Sequence, residues 1–583
     1  MRAGIEVAGG AGLVAGVAGV RVCVVVPVGG RCDVLVVLRG DADPDAAWDE
    51  AVRAVVAGTG GDVPVSDVWV VSDEWLVRGV DRSVDLEATR QRYRDFLAGA
   101  WLPGLGPGAR PEPLPGRRIR VVFGGAGAGR TALTWGQRDI WATMRRQRNW
   151  LPQGGRRPLA PGTRIEDVAA ELAYVHSRYQ SMRTRLVFGE LPDGAVRQWV
   201  APAGETFLEV YDTPPGQDPD ALAARVEAVY RRRPYDLRVE WPVRMAVVRS
   251  GGVCTHLVVL MHHLALDAGG AAVMMREVAS REHDEPAGMQ PLEQAAWQAS
   301  EAGCRHDDRT LRYFAKALDR LAAGPPPPTP TTPTTTLKPG PRRPRHWSGC
   351  LVSPALAGAV AAVGARRAVD DAAVLTAVAA IAFARVTGTD RVLMRPRVGN
   401  RFRPALADVV CFVAQSGLLV LELGDTTFDE AVDRARGTTL AAVKNAYFDP
   451  DALEAMLSRF AAEYASAHGG APTLAMFFND RHAAAPSPCE PQRTHGASTF
   501  AWLDRGPEPA ETLSVTIDDA DGALAVSMHF DTHVIAPEMA EDLAWGIERA
   551  AVEAATNGDM PTGIRGTSAA EAPPPRSRNR QAP

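Results

Sequence analysis

The chain is poor in cysteine, and the few it has form no pattern. Seven are scattered over 583 residues, at positions 23, 32, 254, 304, 350, 411 and 489. No two have CxxC spacing, so neither a paired-cysteine zinc site nor a redox pair is indicated. Cys254, Cys350 and Cys411 lie in apolar strings and read as small core residues. An odd, unpatterned set fits a reducing cytosol. No stretch approaches the ~20 uninterrupted apolar residues of a spanning helix. The start, 1–26, is Gly-rich with Arg2 and Glu6, and lacks the dense basic opening and Leu-rich centre of a signal peptide. A cytoplasmic location is therefore expected. An excess of one charge is also missing: 64 Lys and Arg against 69 Asp and Glu give a formal net charge of −5, which excludes a global pull toward nucleic acid or an anionic membrane. The basic runs Arg145-Arg146-Gln147-Arg148 and Arg342-Arg343-Pro344-Arg345 read as solvated surface. No short-period repeat is present.

What is present is a long α/β pattern with three composition breaks. The length suggests two to four domains. Residues 102–117 are Pro/Gly-rich and read as a linker. Residues 324–345 are Pro/Thr-rich and read as an extended surface loop. The end, 557–583, is expected to be a disordered tail, polar and Pro-rich over its last stretch. These breaks leave a small α/β domain over 1–101 and two similarly sized α/β lobes, 118–323 and 346–556. In the small domain, 22–28, 34–39 and 68–71 read as strands. Residues 44–57 read as a helix with Asp43 as cap and Pro44 at its first position, and 86–97 as a basic amphipathic helix. In the first lobe, strands are expected at 119–123, 184–188, 243–248 and 255–261, and helices at 136–144, 165–178 and 269–278. In the second, strands are expected at 348–352, 391–395, 417–423, 473–478, 513–517 and 524–530. Its helices are expected at 354–363, 370–386, 427–447 and 538–555.

The string that carries chemistry is Val258-Val259-Leu260-Met261-His262-His263-Leu264-Ala265-Leu266-Asp267-Ala268-Gly269-Gly270. Only 12 histidines occur in the chain, yet two adjoin at the end of a nearly all-apolar run that suits a buried strand. Strand ends deliver side chains from a rigid scaffold. Asp267, followed closely by Gly269-Gly270, implies a tight turn returning a carboxylate beneath the imidazoles. An imidazole titrates near working pH and can take a proton from an attacking amine or hydroxyl. Two core histidines and a turn aspartate would give the same string. A zinc site finds no acidic residue at HExxH spacing, and no metal is expected.

The neighbouring motifs decide between these. The string resembles the HHxxxDG signature of nonribosomal-peptide condensation domains. Arg178-Tyr179-Gln180-Ser181-Met182-Arg183-Thr184 resembles that family's RHxxLRT. Leu133-Thr134-Trp135-Gly136-Gln137-Arg138-Asp139-Ile140-Trp141 resembles its opening S/T-x-x-Q-x-x-x-W. Leu292 to Gln298 looks like its D-Y-A-x-W-Q stretch, and Tyr313-Phe314 stands where a Tyr-Trp pair is common. Val398-Gly399-Asn400-Arg401 resembles the A-N-R element, and Cys411 to Gln415 the G-F-x-V-N element. Order and spacing agree over about three quarters of the chain. The resemblance implies two chloramphenicol-acetyltransferase-like lobes forming a V. It also implies acyl or peptidyl carrier proteins as partners, delivering phosphopantetheine thioesters, and an amide or ester product, with no cofactor bound by the enzyme itself and no nucleic-acid or membrane partner. By the same resemblance His263 is catalytic with His262 supporting it, and Asp267 pairs with Arg183 to hold the loop. Gly269 and Gly270 offer N–H groups to the thioester oxygen, and Asn400 and Arg401 serve structurally in the second lobe. Three positions depart from the pattern: Ala268 for Gly, Tyr179 for His and Gln415 for Asn. If position 268 needs φ > 0, alanine there is strained by about 1 kcal/mol.

Residues 22–101 resemble, more faintly, the small C-terminal subdomain of fatty-acyl-AMP ligases. No lysine occurs from Met1 to Arg117 to serve adenylation, so no ATP chemistry is expected. The leading expectation is a stand-alone condensation enzyme of natural-product biosynthesis. Acyltransfer from acyl-CoA, a non-catalytic recruitment scaffold and an epimerase are the alternatives. The D-F-G-W-G string of plant-type acyltransferases is absent.

Overall fold

A computed structural model describes residues 20–28, 31–38, 65–70, 76–77, 84–97, 116–147, 150–188, 196–233, 235–282, 284–323, 346–468, 474–482, 497–503, 511–532 and 534–566. The expected helix at 44–57, the Pro/Thr segment 324–345 and nearly all of the 102–117 linker lie outside these residues. The chain divides into two compact units: 1–132, 150–266 and 274–285 in one, and 133–149, 267–273 and 286–583 in the other. This differs from a boundary at the Pro/Thr loop. Residues 133–149, which hold a helix inside the first lobe's sequence, and 286–323, which hold two more after its last strand, are grouped with the second unit, because chain order does not dictate which core an amphipathic helix covers.

In the first unit, β1 (Val20–Val28) and β2 (Arg31–Leu38) form an antiparallel pair, and β3 (Val65–Val70) joins β2 in parallel. Their Val-rich composition suits a pleated, half-buried surface. Helix α1 (Leu86–Leu97) follows. A five-stranded sheet comes next, built from β4 (Arg117–Gly124), a strand β6 (Gln153–Pro158), β9 (Ala203–Asp212), β10 (Val243–Ser250) and β11 (Val253–Met261), in the order β4-β9-β10-β11-β6. β5 (Gly129–Ala132), β7 (Thr184–Val187) and β8 (Arg197–Val200) make a separate small sheet, and α2 (Trp135–Gln147) is grouped with the second unit.

β11 is bonded on both sides, to β10 and β6. That explains its apolar run: Leu257, Val258 and Leu260 are all buried. The edge strand β6, sequence Gln-Gly-Gly-Arg-Arg-Pro, has no alternation to announce it. It is held by close backbone approach, since a Cβ on Gly154 would lie 2.3 Å from the Val259 carbonyl oxygen. Helix α3 (Ile165–Arg178) buries Val168, Leu172 and Val175; its first turn is closed by the Asp167 carboxylate, which accepts the Arg164 backbone N–H at 3.0 Å and its Nη2 at 3.0 Å. Helix α4 (Pro219–Arg232) is capped by Asp218. Helix α5 (Ala268–Ser280) begins directly after the histidine turn.

In the second unit, α6 (Pro291–Ala299) and α7 (Glu301–Ala322) precede an eight-stranded sheet. The sheet comprises β12 (His346–Ser353), β13 (Arg391–Val398), β14 (Gln415–Ser416), β15 (Leu419–Glu422), β16 (Met476–Asp480), β17 (Thr499–Trp502), β18 (Leu513–Ala520) and β19 (Ala523–Asp531). Its helices are α8 (Pro354–Arg367), α9 (Asp371–Thr387), α10 (Phe428–Lys444), α11 (Pro450–His468) and α12 (Pro537–Thr556). α9 is apolar all round, and it is buried all round: every residue from Ala373 to Ala384 is buried. Asp370 caps its start and Gly388, at φ 72°, ends it.

Residues 557–566 are not the disordered tail expected from composition. They return along the start of α10: Phe428 N–H donates to Met560 O at 3.1 Å and Thr562 N–H to Thr426 O at 2.8 Å. Thr562 is fully buried, and Ile564 is buried in the main core.

Candidate active site

The histidine turn follows β11 in the first unit. His262 N–H donates to Pro242 O (2.8 Å), Ala265 N–H to His262 O (2.9 Å), and Leu264 N–H to His262 Nδ1 (3.2 Å). A ring nitrogen that accepts a backbone N–H is unprotonated, so His262 is the Nε2–H tautomer. The ring is fully buried. It stacks on Trp150 (centroids 6.1 Å apart) and meets Tyr235 edge to face at 5.5 Å. Burial first, then the neighbouring His263 and Arg244, hold its pKa down to about 3. His262 is therefore neutral at working pH.

His263 is half-buried, and its Nδ1 lies 2.9 Å from the Leu266 carbonyl. A carbonyl only accepts, so Nδ1 carries the hydrogen and Nε2 is the basic nitrogen of the neutral ring. The two adjacent imidazoles thus have opposite tautomers, each fixed by backbone of the same turn.

His176, on α3, is a second fully buried histidine. It is stacked on Phe123 at 4.7 Å and lowered by burial to about 4. Both His176 and His262 must stay neutral in the fold but protonate in the unfolded chain near pH 6.5. Their stabilisation is whole above that pH and falls as pH drops through the window toward the folded values. Between pH 6.5 and 5, each is expected to cost roughly 2 kcal/mol, seen as a falling urea midpoint. A midpoint flat over that window would contradict this assignment.

The Arg–Tyr pair that departs from the family motif has its own anchor. Arg178 Nε lies 2.7 Å from Glu277 Oε2, and the Tyr179 hydroxyl donates to the same oxygen at 2.8 Å. Both side chains of the ion pair are nearly inaccessible, at 6% and 3%. Tyr174 adds a bond to Glu282 O at 2.8 Å. The end of α5 is thereby fastened to α3. Burial, and then the bond to Glu277, push the Tyr179 phenol upward, so it stays a donor. Glu277 was not singled out from sequence. The available signal was one acid in the run Ala271 to Ala279, which is apolar but for it and Arg276.

Asp267 and Arg401 meet in the second unit. Arg401 grips the carboxylate with both terminal nitrogens, Nη2 to Oδ1 at 2.7 Å and Nη1 to Oδ2 at 3.0 Å. Asp267 Oδ2 also accepts Val413 N–H and Ala414 N–H, each at 3.0 Å, and Oδ1 accepts Gly270 N–H at 2.8 Å. Arg401 Nη2 further donates to Val409 O (3.0 Å) and Cys411 O (3.3 Å). Burial pushes the Cys411 thiol up to about 12, which removes it as a nucleophile. Asn400 sits at φ 59°, a left-handed conformation that asparagine tolerates, and its Nδ2 joins Val413 O and Ala446 O at 2.9 Å each. Gln415 exchanges two hydrogen bonds with the Phe448 backbone, at 3.0 and 3.2 Å.

Three sequence expectations are corrected by this geometry. Asp267 takes Arg401 rather than Arg183. Arg183 is buried in the first unit, where it donates to the carbonyls of Ala126, Gly127 and Ala201. Gly270 N–H is spent on Asp267 Oδ1, capping α5, and so is committed before any substrate oxygen arrives. Ala268 is the first residue of α5 and is not among the residues of positive φ, so the departure from glycine carries no strain. Gly269 and Gly270 have a steric role. A Cβ at Gly269 would lie 2.8–2.9 Å from Arg401 Cδ, Nε and Cζ, and one at Gly270 3.0 Å from its Nη2. Gly269→Ala is accordingly expected to lose about 1–3 kcal/mol by overpacking the ion pair. Urea denaturation measures this, and an unchanged midpoint would refute it.

Among the described residues, no group of three or more His, Cys, Asp or Glu side chains is placed to hold a metal. No helix among them is long and apolar enough to cross a membrane.

A family model described as the condensation domain matches residues 159–562. Cyclosporin synthetase simA of Tolypocladium inflatum is 26% identical over 300 residues, 48% of this chain but 2% of that protein. Nonribosomal peptide synthetase kk1B of Curvularia clavata is 25% identical over 299 residues, again 48% of this chain and 2% of the other. The chain thus spans a small fraction of these relatives. Among solved structures, the condensation domain of the Monacolin K polyketide synthase MokA shares the fold with a TM-score of 0.55 and 14% identity, over 76% of this chain and 100% of that one. The structure on condensation domain-mediated chain release from the enacyloxin polyketide synthase has a TM-score of 0.51 at 16% identity, over 96% of this chain and 95% of that one. With the family model covering well over half of its length, the chain belongs to the condensation domain family.

Proposed function

We propose that the chain joins an acyl or aminoacyl group, delivered as a carrier-protein-bound phosphopantetheine thioester, to an amine or hydroxyl acceptor. The observation carrying this reading is the tautomer of His263. With Nδ1–H committed to the Leu266 carbonyl, Nε2 is the nitrogen that accepts a proton. The acceptor's nitrogen or oxygen attacks the thioester carbonyl, the C–S bond breaks, and an amide or ester forms. The proton lost by the nucleophile passes through His263 Nε2 to the departing thiolate. Relatives that are peptide synthetases and polyketide-synthase condensation domains support carriers as the donors. The alternative, transfer from free acyl-CoA, uses the same histidine.

The test is to incubate the purified chain with loaded carrier proteins encoded by neighbouring genes, and in parallel with the matching CoA thioesters. Product masses are then read by mass spectrometry. Product with carriers alone supports the proposal, and product with CoA thioesters alone replaces it by the acyl-CoA reading. No product in either arm, with donors verified as loaded, favours a recruitment role.

A further inference from the structure

β8 is the middle strand of the small sheet in the first unit, between β5 and β7. Residues paired across antiparallel strands point to the same side, so the registers sort this sheet into two faces. One face carries Thr184, Leu186, Gln198 and Val200, all buried. The other sets Arg130, Trp199 and Arg185 in one row and Ala132, Arg197 and Val187 in the next. Among the described residues no carboxylate meets Arg185 or Arg197, and each keeps a buried Nε without an acceptor. Arg185 lies over the Trp241 ring, its Cζ 3.7 Å from the centroid, which limits where its fork can point. Burial pulls its pKa below the usual arginine range, with no anion to offset it. Arg183, at the entry to β7, is a further cation, served by the carbonyls of Ala126, Gly127 and Ala201. The neighbouring acids are already taken. Leu186 N–H donates to Leu237 O at 2.8 Å, so the stretch around Leu237 runs beside β7. Its two acids hold their own arginines, Asp236 with Arg238 at 2.7 Å and Glu240 with Arg244 at 2.8 Å. The formal net charge of the chain is −5, so this excess of cations is local.

We infer that the sheet face bearing Arg185 and Arg197 binds a terminal phosphate group, that of a phosphate monoester. A half-buried guanidinium without a counter-charge is costly to keep, and an anion bound there relieves that cost. The planar fork of arginine matches phosphate oxygens two at a time. Two cations lacking carboxylates call for two negative charges. A monoester, with its second pKa at about 6, carries them at pH 8, whereas a phosphodiester or a carboxylate carries one. The site shares no residue with the histidine turn, and the inference does not rest on the proposed acyl transfer.

Methyl phosphate titrated calorimetrically into the full chain at pH 8 is expected to bind with a Kd below about 1 mM. Arg185→Gln and Arg197→Gln should each weaken it about 10-fold or more. Arg197→Gln is the cleaner variant, since Arg185 also packs on Trp241, and urea midpoints of both check that the fold persists. Arg118→Gln removes an arginine already paired with Glu209 at 3.0 Å and should leave binding unchanged. At pH 5, where the probe keeps a single charge while both arginines stay cationic, affinity should fall about 10-fold. Dimethyl phosphate and acetate serve as singly charged controls. The inference is overturned if Arg197→Gln binds methyl phosphate as the parent does, if either control binds as tightly, or if no heat of binding is found up to about 10 mM. Glu190 and Asp193 lie in sequence between the two arginines. An affinity raised about 10-fold or more by Glu190→Gln with Asp193→Asn would mean that the chain's own acids fill the site, and would equally overturn it.

Discussion

Asp267→Ala is expected to destabilise the second unit by about 3–5 kcal/mol, because it strands a guanidinium with no carboxylate to meet it. The carboxylate is buried and accepts from both terminal nitrogens of Arg401, from two consecutive backbone N–H groups at 413 and 414, and from Gly270. Charge-assisted, bidentate bonds of this kind are the stronger ones in proteins. Arg401 keeps three carbonyls, at 399, 409 and 411, which solvate it without neutralising it. Asp267→Asn is the sharper control. It preserves the shape but turns an NH2 group toward donors, so most of the loss should remain. Chemical denaturation of both variants measures the effect. A loss below about 1 kcal/mol in Asp267→Ala would show that the arginine relaxes into solvent and that the cluster matters little.

The second large effect concerns rate. His263→Ala should leave the denaturation midpoint nearly unchanged, since the ring is only half-buried, while lowering product formation about 10²–10⁴-fold, the usual worth of a positioned acid–base group. The two variants therefore separate: one loses the fold's clasp, the other its proton acceptor. Undiminished turnover in a folded His263→Ala protein would remove this imidazole from the chemistry and leave orientation of substrates as the whole of catalysis.

Periodicity carried much of the architecture. The helix Ile165–Arg178 and the helix Leu86–Leu97 have the bounds their spacing predicts, and the apolar run before His262 is an internal strand. What sequence could not supply was long-range and polar. Nothing local reveals that Asp267 will choose Arg401 across 134 positions rather than Arg183, since both arginines stand in family-like motifs. Nor does local pattern give β6, whose glycines and arginines carry no strand alternation, or the ordered stretch at 557–566, whose composition reads as a coil. Glu277 was likewise invisible until Arg178 and Tyr179 were seen converging on it.

The segment returning along α10 has a practical corollary. Asp425 N–H reaches Ile564 O at 2.8 Å, and a Cβ on Gly424 would stand 2.5 Å from Gly566 Cα, so the two backbones touch. A fusion partner or affinity tag spliced in directly after the last turn of α12 would wedge apart that contact and strip acceptors from the mouth of α10. Junctions placed beyond Gly566 would leave the seam closed.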